Sequence, residues 1–274
     1  MVELIAEIGW NHMGDMDLAK KMIEAASESG ADYAKFQTFD VNNLKEGPWD
    51  DDGRREIYEK AQLSFGQHRE LKEYCDSLGI TFMSSAFTVE DAKMLAAVST
   101  KCIKIPSIET SNVNLLDYCS RNFDKIFMST GATKMEEVLE VIKPFNKEKL
   151  VLLHCVSSYP CPLDRANLPR IKELKHTFSQ TKANSFGYSD HVEGIHASVA
   201  ALEYDIDVIE KHFTIDKTLP GRDNKFAILP EELTELKYHI EARALANIDR
   251  GSNLYQECEM EARTVYSGRW TKNE

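Results

Sequence analysis

The chain has 274 residues, 42% of them hydrophobic, with 33 Lys and Arg against 45 Asp and Glu and a formal net charge of −12. That length fits one large domain, which buries about 75% of the surface its unfolded chain exposes. The acidic balance excludes nonspecific nucleic-acid binding, which needs a basic surface, but not a small anionic substrate held by a few convergent lysines.

Eight short apolar, β-rich runs follow one another along the chain: ELIAEIG (3–9), ADYAKFQTF (31–39), ITFMSSAF (80–87), CIKIPS (102–107), KIFMSTG (125–131), LVLLHC (150–155), NSFGYSD (184–190) and DVIEKHF (207–213). Such runs suit strands buried on both faces, as in a parallel sheet. Helical patterns lie between them. Asp15 to Ser29 puts Leu18, Met22 and Ala25 on one face and stops before Gly30, a helix-ending signal. Phe65 to Leu78, Val89 to Ala97, Leu115 to Arg121, Lys134 to Ile142, Leu168 to Phe178 and Gly194 to Tyr204 follow, and Pro230 opens a last helix. Strand–helix alternation repeated eight times predicts an α/β fold, a (β/α)8 TIM barrel, spanning residues 1–274 as a single domain. An open doubly wound sheet is the runner-up, but no G-x-G-x-x-G follows the first strand.

Two stretches depart from the rhythm. Residues 40–64 form a long, charged βα insertion, which either shapes substrate access or is a solvated surface loop. Residues 250–274 form a C-terminal extension. The N-terminus has no basic n-region, no apolar run approaches the ~18 residues of a membrane span, and the six cysteines include no C-x2-C pair. These features predict a cytoplasmic protein with reduced thiols and no membrane or nucleic-acid partner.

In a barrel, residues ending the strands face the catalytic end. Here those residues are Glu7; Lys35 and Gln37; Ser84 and Ser85; Lys104, Ser107 and Glu109; Ser129 and Thr130; His154 and Ser157; Ser189 and His191; Glu210 and His212. One such residue alone is more often structural, but here all eight strands agree. Lys35 and Lys104 sit inside apolar strands, where a charge is costly without a partner. They either pair with an inward carboxylate such as Glu7 or Glu210, or form an anion site with Ser129, Thr130 and Ser189. Phosphate suits the second set. His191 and His212 end neighbouring strands. They suit one divalent metal, oriented by Asp190 or Glu210, or a hydrogen-bonded structural pair.

The motifs AEIGWNHMGD, AKFQTF, KIPSIET, MSTGA, LLHCVSSYP, GYSDHVEGI and EKHFTIDKTLPGRD occur in this order. The chain thereby resembles the N-acetylneuraminate (sialic acid) synthase family from about Ile5 to Leu236. The resemblance implies condensation of phosphoenolpyruvate with an N-acetylated amino sugar, N-acetylmannosamine-like, to give a nonulosonate and phosphate with Mn²⁺ or Mg²⁺. It implies that His191 and His212 bind the metal. Lys35, Lys104, Ser107, Ser129 and Ser189 would hold phosphoenolpyruvate, with Ser85 and Ser157 completing the set. Glu7, Gln37, Glu109, Tyr159 and Asp223 would face the sugar. Lys35 and Lys104 would also stabilise departing phosphate, and Glu109 would deprotonate the attacking water.

Ser157 stands where some members carry Asn. Typical members continue into an antifreeze-like domain that supplies an Arg to a partner's sugar site. This sequence ends about where that domain would begin, so either that dimer contact is lost or another group replaces the Arg, with Arg222, Lys225 and the 40–64 insertion as candidates. A homodimer would then be built on the barrel helices. Two alternatives remain: an ulosonate synthase acting on a different aldose, and a barrel that binds sugar or phosphate without turnover. The intact set Lys35, Lys104, Glu109, His191 and His212 argues against the latter.

Overall fold

The eight apolar runs each contain one strand, to within about two residues of the expected bounds. In chain order they are β1 (Glu3–Gly9), β2 (Tyr33–Thr38), β3 (Thr81–Ala86), β4 (Cys102–Ile105), β5 (Lys125–Ser129), β6 (Leu150–Cys155), β7 (Ser185–Asp190) and β8 (Val208–His212). Each pairs in parallel with the next, and β8 pairs with β1 to close the barrel. The computed structural model describes residues 2–146, 148–178, 183, 185–251 and 255–270.

The connecting helices are α1 (Met16–Glu28), α2 (Arg54–Ala61), α3 (Phe65–Leu78), α4 (Val89–Val98), α5 (Val113–Asn122), α6 (Met135–Val141), α7 (Arg170–Phe178), α8 (His196–Ala201) and α9 (Pro230–Ala246). Local chemistry sets several ends. Asp15 caps α1 by accepting from the amides of Asp17 and Leu18, and Ser64 and Thr88 open α3 and α4 with capping boxes. Helix α2 lies in the 40–64 insertion, where no helix was expected. Its charged sequence has little apolar face, and among its residues only Ala61 is buried.

Two apolar clusters follow from the strand pleat. The larger lies between strands and helices. The smaller fills the barrel and comprises Ile5, Tyr33, Met83, Cys102, Phe127, Val151, Leu153 and Val208. Side chains two apart share a face. Two residues beyond Ile5, Tyr33, Met83, Cys102, Phe127 and Val208 come Glu7, Lys35, Ser85, Lys104, Ser129 and Glu210. The polar layer therefore sits directly on the apolar one, at the C-terminal ends of the strands. Space beneath it is tight: a Cβ on Gly187 of β7 would lie 2.3 Å from Val208 Cγ1, so only glycine fits.

The chain divides into two compact units, Met1–Ile240, which holds the barrel, and Glu241–Glu274. In the second, the Arg263 guanidinium lies over the Tyr255 ring and Arg269 lies over Tyr266 and Trp270. Residues 252–254 and 271–274 of the expected C-terminal extension lie outside the described residues. No described helix is long and apolar enough to cross a membrane, and the six cysteines are free thiols.

Candidate active site

The pleat brings Glu7, Lys35, Lys104, Ser189 and Glu210 together inside the barrel mouth, each at most 4% exposed. Glu210 is the hub. Lys104 Nζ donates to its two carboxylate oxygens at 2.7 and 2.9 Å, Ser189 Oγ donates at 2.8 Å, and Lys35 Nζ stands 3.8 Å away. Lys35 also pairs with Glu7 at 2.5 Å and donates to Ser85 Oγ at 3.1 Å. Gln37 donates to the other Glu7 oxygen at 2.8 Å. Both lysines thus take the ion-pair arrangement that was one of the two expectations. That does not remove the other: the hydroxyls and the lysines share one buried layer. Burial opposes the charge on Glu210, but Lys104 and Lys35 together hold it far below its ordinary value. Burial outweighs Lys35 at Glu7, whose carboxyl is raised, and it lowers Lys104.

Beside this cluster is a cradle that only glycine leaves open. A Cβ on Gly131 would lie 2.4 Å from Ser157 Oγ, 2.9 Å from Ser107 Oγ and 3.2 Å from the Cys155 carbonyl. The Gly131 amide donates to Ser107 Oγ at 2.9 Å. Among the described residues Ser129 Oγ is buried with no hydrogen-bond partner, which leaves it free to bond a ligand. Glu109, on the short helical turn Ser107–Glu109 after β4, accepts from Asn112 Nδ2 at 2.9 Å. Burial and the nearby Asp91 raise its carboxyl above the ordinary value.

His191 and His212 have ring centroids 5.4 Å apart. The Val156 carbonyl lies 2.8 Å from His191 Nδ1. A carbonyl can only accept, so Nδ1 carries a proton and Nε2 is left as the available donor nitrogen. His212 Nδ1 is buried without a hydrogen bond, 3.5 Å from Asp223 Oδ2. Burial, with His191 and Lys35 nearby, holds His212 well below its ordinary value and therefore neutral. At His191, burial opposes a charge, but the Cys155 thiol, 3.7 Å from Nδ1, raises it. A ligating cation competes with that second proton. Among the described residues no group of three His, Cys, Asp or Glu has metal-holding geometry. The histidines supply two nitrogens, which fits a divalent ion whose other positions belong to water and substrate.

The Tyr159 ring covers this pair, 4.1 Å from the His191 centroid and 6.0 Å from that of His212. Asp223 lies buried on the turn Asp223–Lys225 after β8, and burial with the charge of Glu7 pushes it up to about 7. The insertion reaches the rim here. Tyr58 of α2 packs 5.0 Å from Trp10 and 5.8 Å from Phe39. Arg222 and Lys225 are exposed, and the Arg222 charge lowers both Tyr58 and Asp223 against the larger effect of burial.

Two expectations need correction. Ser84, Thr130 and His154 do not join the ring. Ser84 bonds Thr38, Thr130 bonds the Leu153 carbonyl, and His154 bonds the Ala166 carbonyl. Their neighbours Ser85 and Ser129 occupy the inward position, and the pleat sends adjacent residues to opposite faces. Neither Asp190 nor Glu210 bonds an imidazole directly, because Lys211 and Ser198 engage one and the two lysines engage the other. Gly131 and the Val156 carbonyl were missed. The glycine in MSTGA was a signal; a backbone carbonyl leaves none in the sequence.

The model of the NeuB family matches residues 22–250. The chain is 37% identical over 249 residues to an N,N'-diacetyllegionaminic acid synthase of Campylobacter jejuni, covering 85% of this chain and 73% of the relative. It is 35% identical over 246 residues to the N-acetylneuraminate-9-phosphate synthase of Homo sapiens, covering 85% and 67%. The crystal structure of an N-acetylneuraminic acid (sialic acid) synthetase from Leptospira borgpetersenii matches with a TM-score of 0.83 at 31% identity, over 99% of this chain and 93% of that one.

Proposed function

The chain belongs to the NeuB family, and from that premise we propose that it is a phosphoenolpyruvate-dependent synthase that makes a sialic-acid-like nonulosonate from an N-acetylated, N-acetylmannosamine-like amino sugar. The observation that carries this reading is the buried layer of Lys35, Lys104, Ser129 and Ser189 beside the Gly131 cradle. An ammonium has three protons, and Lys35 uses two on Glu7 and Ser85. The remaining protons of both lysines and the Ser129 hydroxyl suit a phosphate, with Ser189 joining them by turning its one proton from Glu210 to the ligand. Ser107 and Ser157, facing Gly131, suit the carboxylate.

Glu7, Gln37, Tyr159 and Asp223 line the acceptor side and take the sugar. Carbon 3 of phosphoenolpyruvate forms the new bond to the sugar aldehyde with the alkene π pair. The C=O π pair passes to the aldehyde oxygen, which takes a proton from solvent to become a hydroxyl, and carbon 2 is left electron-poor. Water adds there and gives its proton to Glu109, whose carboxylate is made more basic than usual by burial. The tetrahedral carbon then releases phosphate by cleavage of its C–O bond, and Lys35 and Lys104 stabilise the departing charge. His191 and His212 would hold Mn²⁺ or Mg²⁺. Bound there, the ion would polarise the aldehyde oxygen as a Lewis acid. The free thiols fit a reducing cytoplasm.

Phosphate release from phosphoenolpyruvate, assayed with Mn²⁺ and a panel of N-acetylated and plain aldoses, tests the proposal. Release with N-acetylated amino sugars is expected. Release only with other aldoses moves the substrate class, and phosphoenolpyruvate binding without release for any sugar refutes the synthase reading.

A further inference from the structure

Each of the two histidines directly follows a residue of opposite charge: Asp190 precedes His191 and Lys211 precedes His212. In the β7/β8 register Asp190 is the partner of Lys211. Their side chains point away from the barrel axis, since Ser189 and Glu210 point into it. Both are 1% exposed, and Lys211 Nζ lies 3.0 Å from Asp190 Oδ2. The carboxylate is fully satisfied. Oδ1 accepts from the Val192 amide at 2.8 Å and from Tyr188 OH at 3.1 Å, and Oδ2 accepts from Ser198 Oγ at 2.6 Å. Lys211 Nζ also donates to the Val192 carbonyl. The pair therefore grips Val192 at both its amide and its carbonyl, immediately after His191.

We infer that the Asp190–Lys211 pair is a positioning element that sets the spacing of His191 and His212 across β7 and β8. A slip of two residues keeps each side chain on its face, so the in–out alternation alone does not forbid it. That slip would set Asp190 opposite Phe213 and Lys211 opposite Tyr188, leaving two buried charges unpaired. It would also displace one imidazole from the other by about 6–7 Å. Buried ion pairs are poor sources of net stability, and fixing register is their best-attested use. A buried hydrophobic pair here would hold the strands together without distinguishing the two registers.

The inference rests on the two histidines binding a divalent ion, so it is tested with Mn²⁺ alone, by titration of the free-ion signal in electron paramagnetic resonance. The full chain, His212→Ala and the double variant Asp190→Asn/Lys211→Met are compared, with circular dichroism and Tm measured on each. The double variant removes both charges at nearly constant volume and is expected to fold. Its Kd for Mn²⁺ is expected to weaken by about 10- to 100-fold, the usual effect of losing a group that orients ligands. An unchanged Kd in a folded double variant overturns the positioning role alone. Failure of the parent chain to bind Mn²⁺ overturns the metal reading and the positioning role with it. Should the double variant not fold, Ser198→Ala decides instead: it removes one donor to Asp190. A roughly two- to tenfold weaker Kd then supports the role, and an unchanged one overturns it.

Discussion

The barrel carries a lysine–carboxylate cluster at each end, and the two are built differently. At the N-terminal end, Lys125 pairs with Glu3, Tyr33 OH donates to Glu3 at 3.0 Å, and the ammonium lies 4.9 Å from the Phe127 ring centre. The side chains of Lys125 and Glu3 are about a third exposed, and none of their atoms is among the buried groups lacking a partner. At the C-terminal end, Lys35 and Lys104 are almost wholly desolvated, and Ser129 Oγ and His212 Nδ1 have no hydrogen bond. Water screens the first cluster, so its ion pair holds the base of the barrel together modestly. The second is buried, so its charges are less screened from whatever enters. One end is satisfied and the other is left incomplete. That asymmetry, more than the presence of charge, separates the stabilising end from the chemical one.

The sharpest way to break this comparison is at Glu109. Replacement by Gln is expected to lower kcat by roughly 10²- to 10⁴-fold while phosphoenolpyruvate still binds, as measured by phosphate release and calorimetry. A base works only when ionised, and burial raises this carboxyl. The acid limb of kcat/KM is therefore expected above the ordinary carboxylate range, with activity fading as pH falls through it. A limb at ordinary carboxylate values, or a Gln variant with full turnover, removes Glu109 from the base role.

Lys104→Met leaves Glu210 buried beside a lost partner. Chemical denaturation should show a loss of about 3–5 kcal/mol, together with loss of activity. Lys125→Met at the other end should lose about 1 kcal/mol or less and keep its turnover. Equal losses at the two ends would erase the contrast. The smallest expected effect is that of Ser129→Ala. Removing a buried hydroxyl without a partner among the described residues should leave Tm unchanged or slightly raised, whereas phosphoenolpyruvate affinity should fall by roughly two- to tenfold. A drop in Tm without a change in affinity would make this serine structural.

Much of this was readable in the sequence. Strands covered on both faces must be apolar along their length, and eight such runs separated by amphipathic helices allow few folds. Lys35 and Lys104 stood out because charge inside an apolar run needs a reason. The chemistry of the site, in residue types, was likewise present in the order of the motifs. What the chain could not show was which member of each adjacent polar pair faces inward. Ser84 and Ser85, or Ser129 and Thr130, are alike in kind, and a strand buried on both faces lacks the alternation that would tell them apart. The pleat and the closure of the barrel decided that. The same closure set Lys104 against Glu210, 106 residues away, and Asp190 against Lys211. Partnership between distant charges depends on strand register, and register is a property of the closed sheet rather than of any one segment.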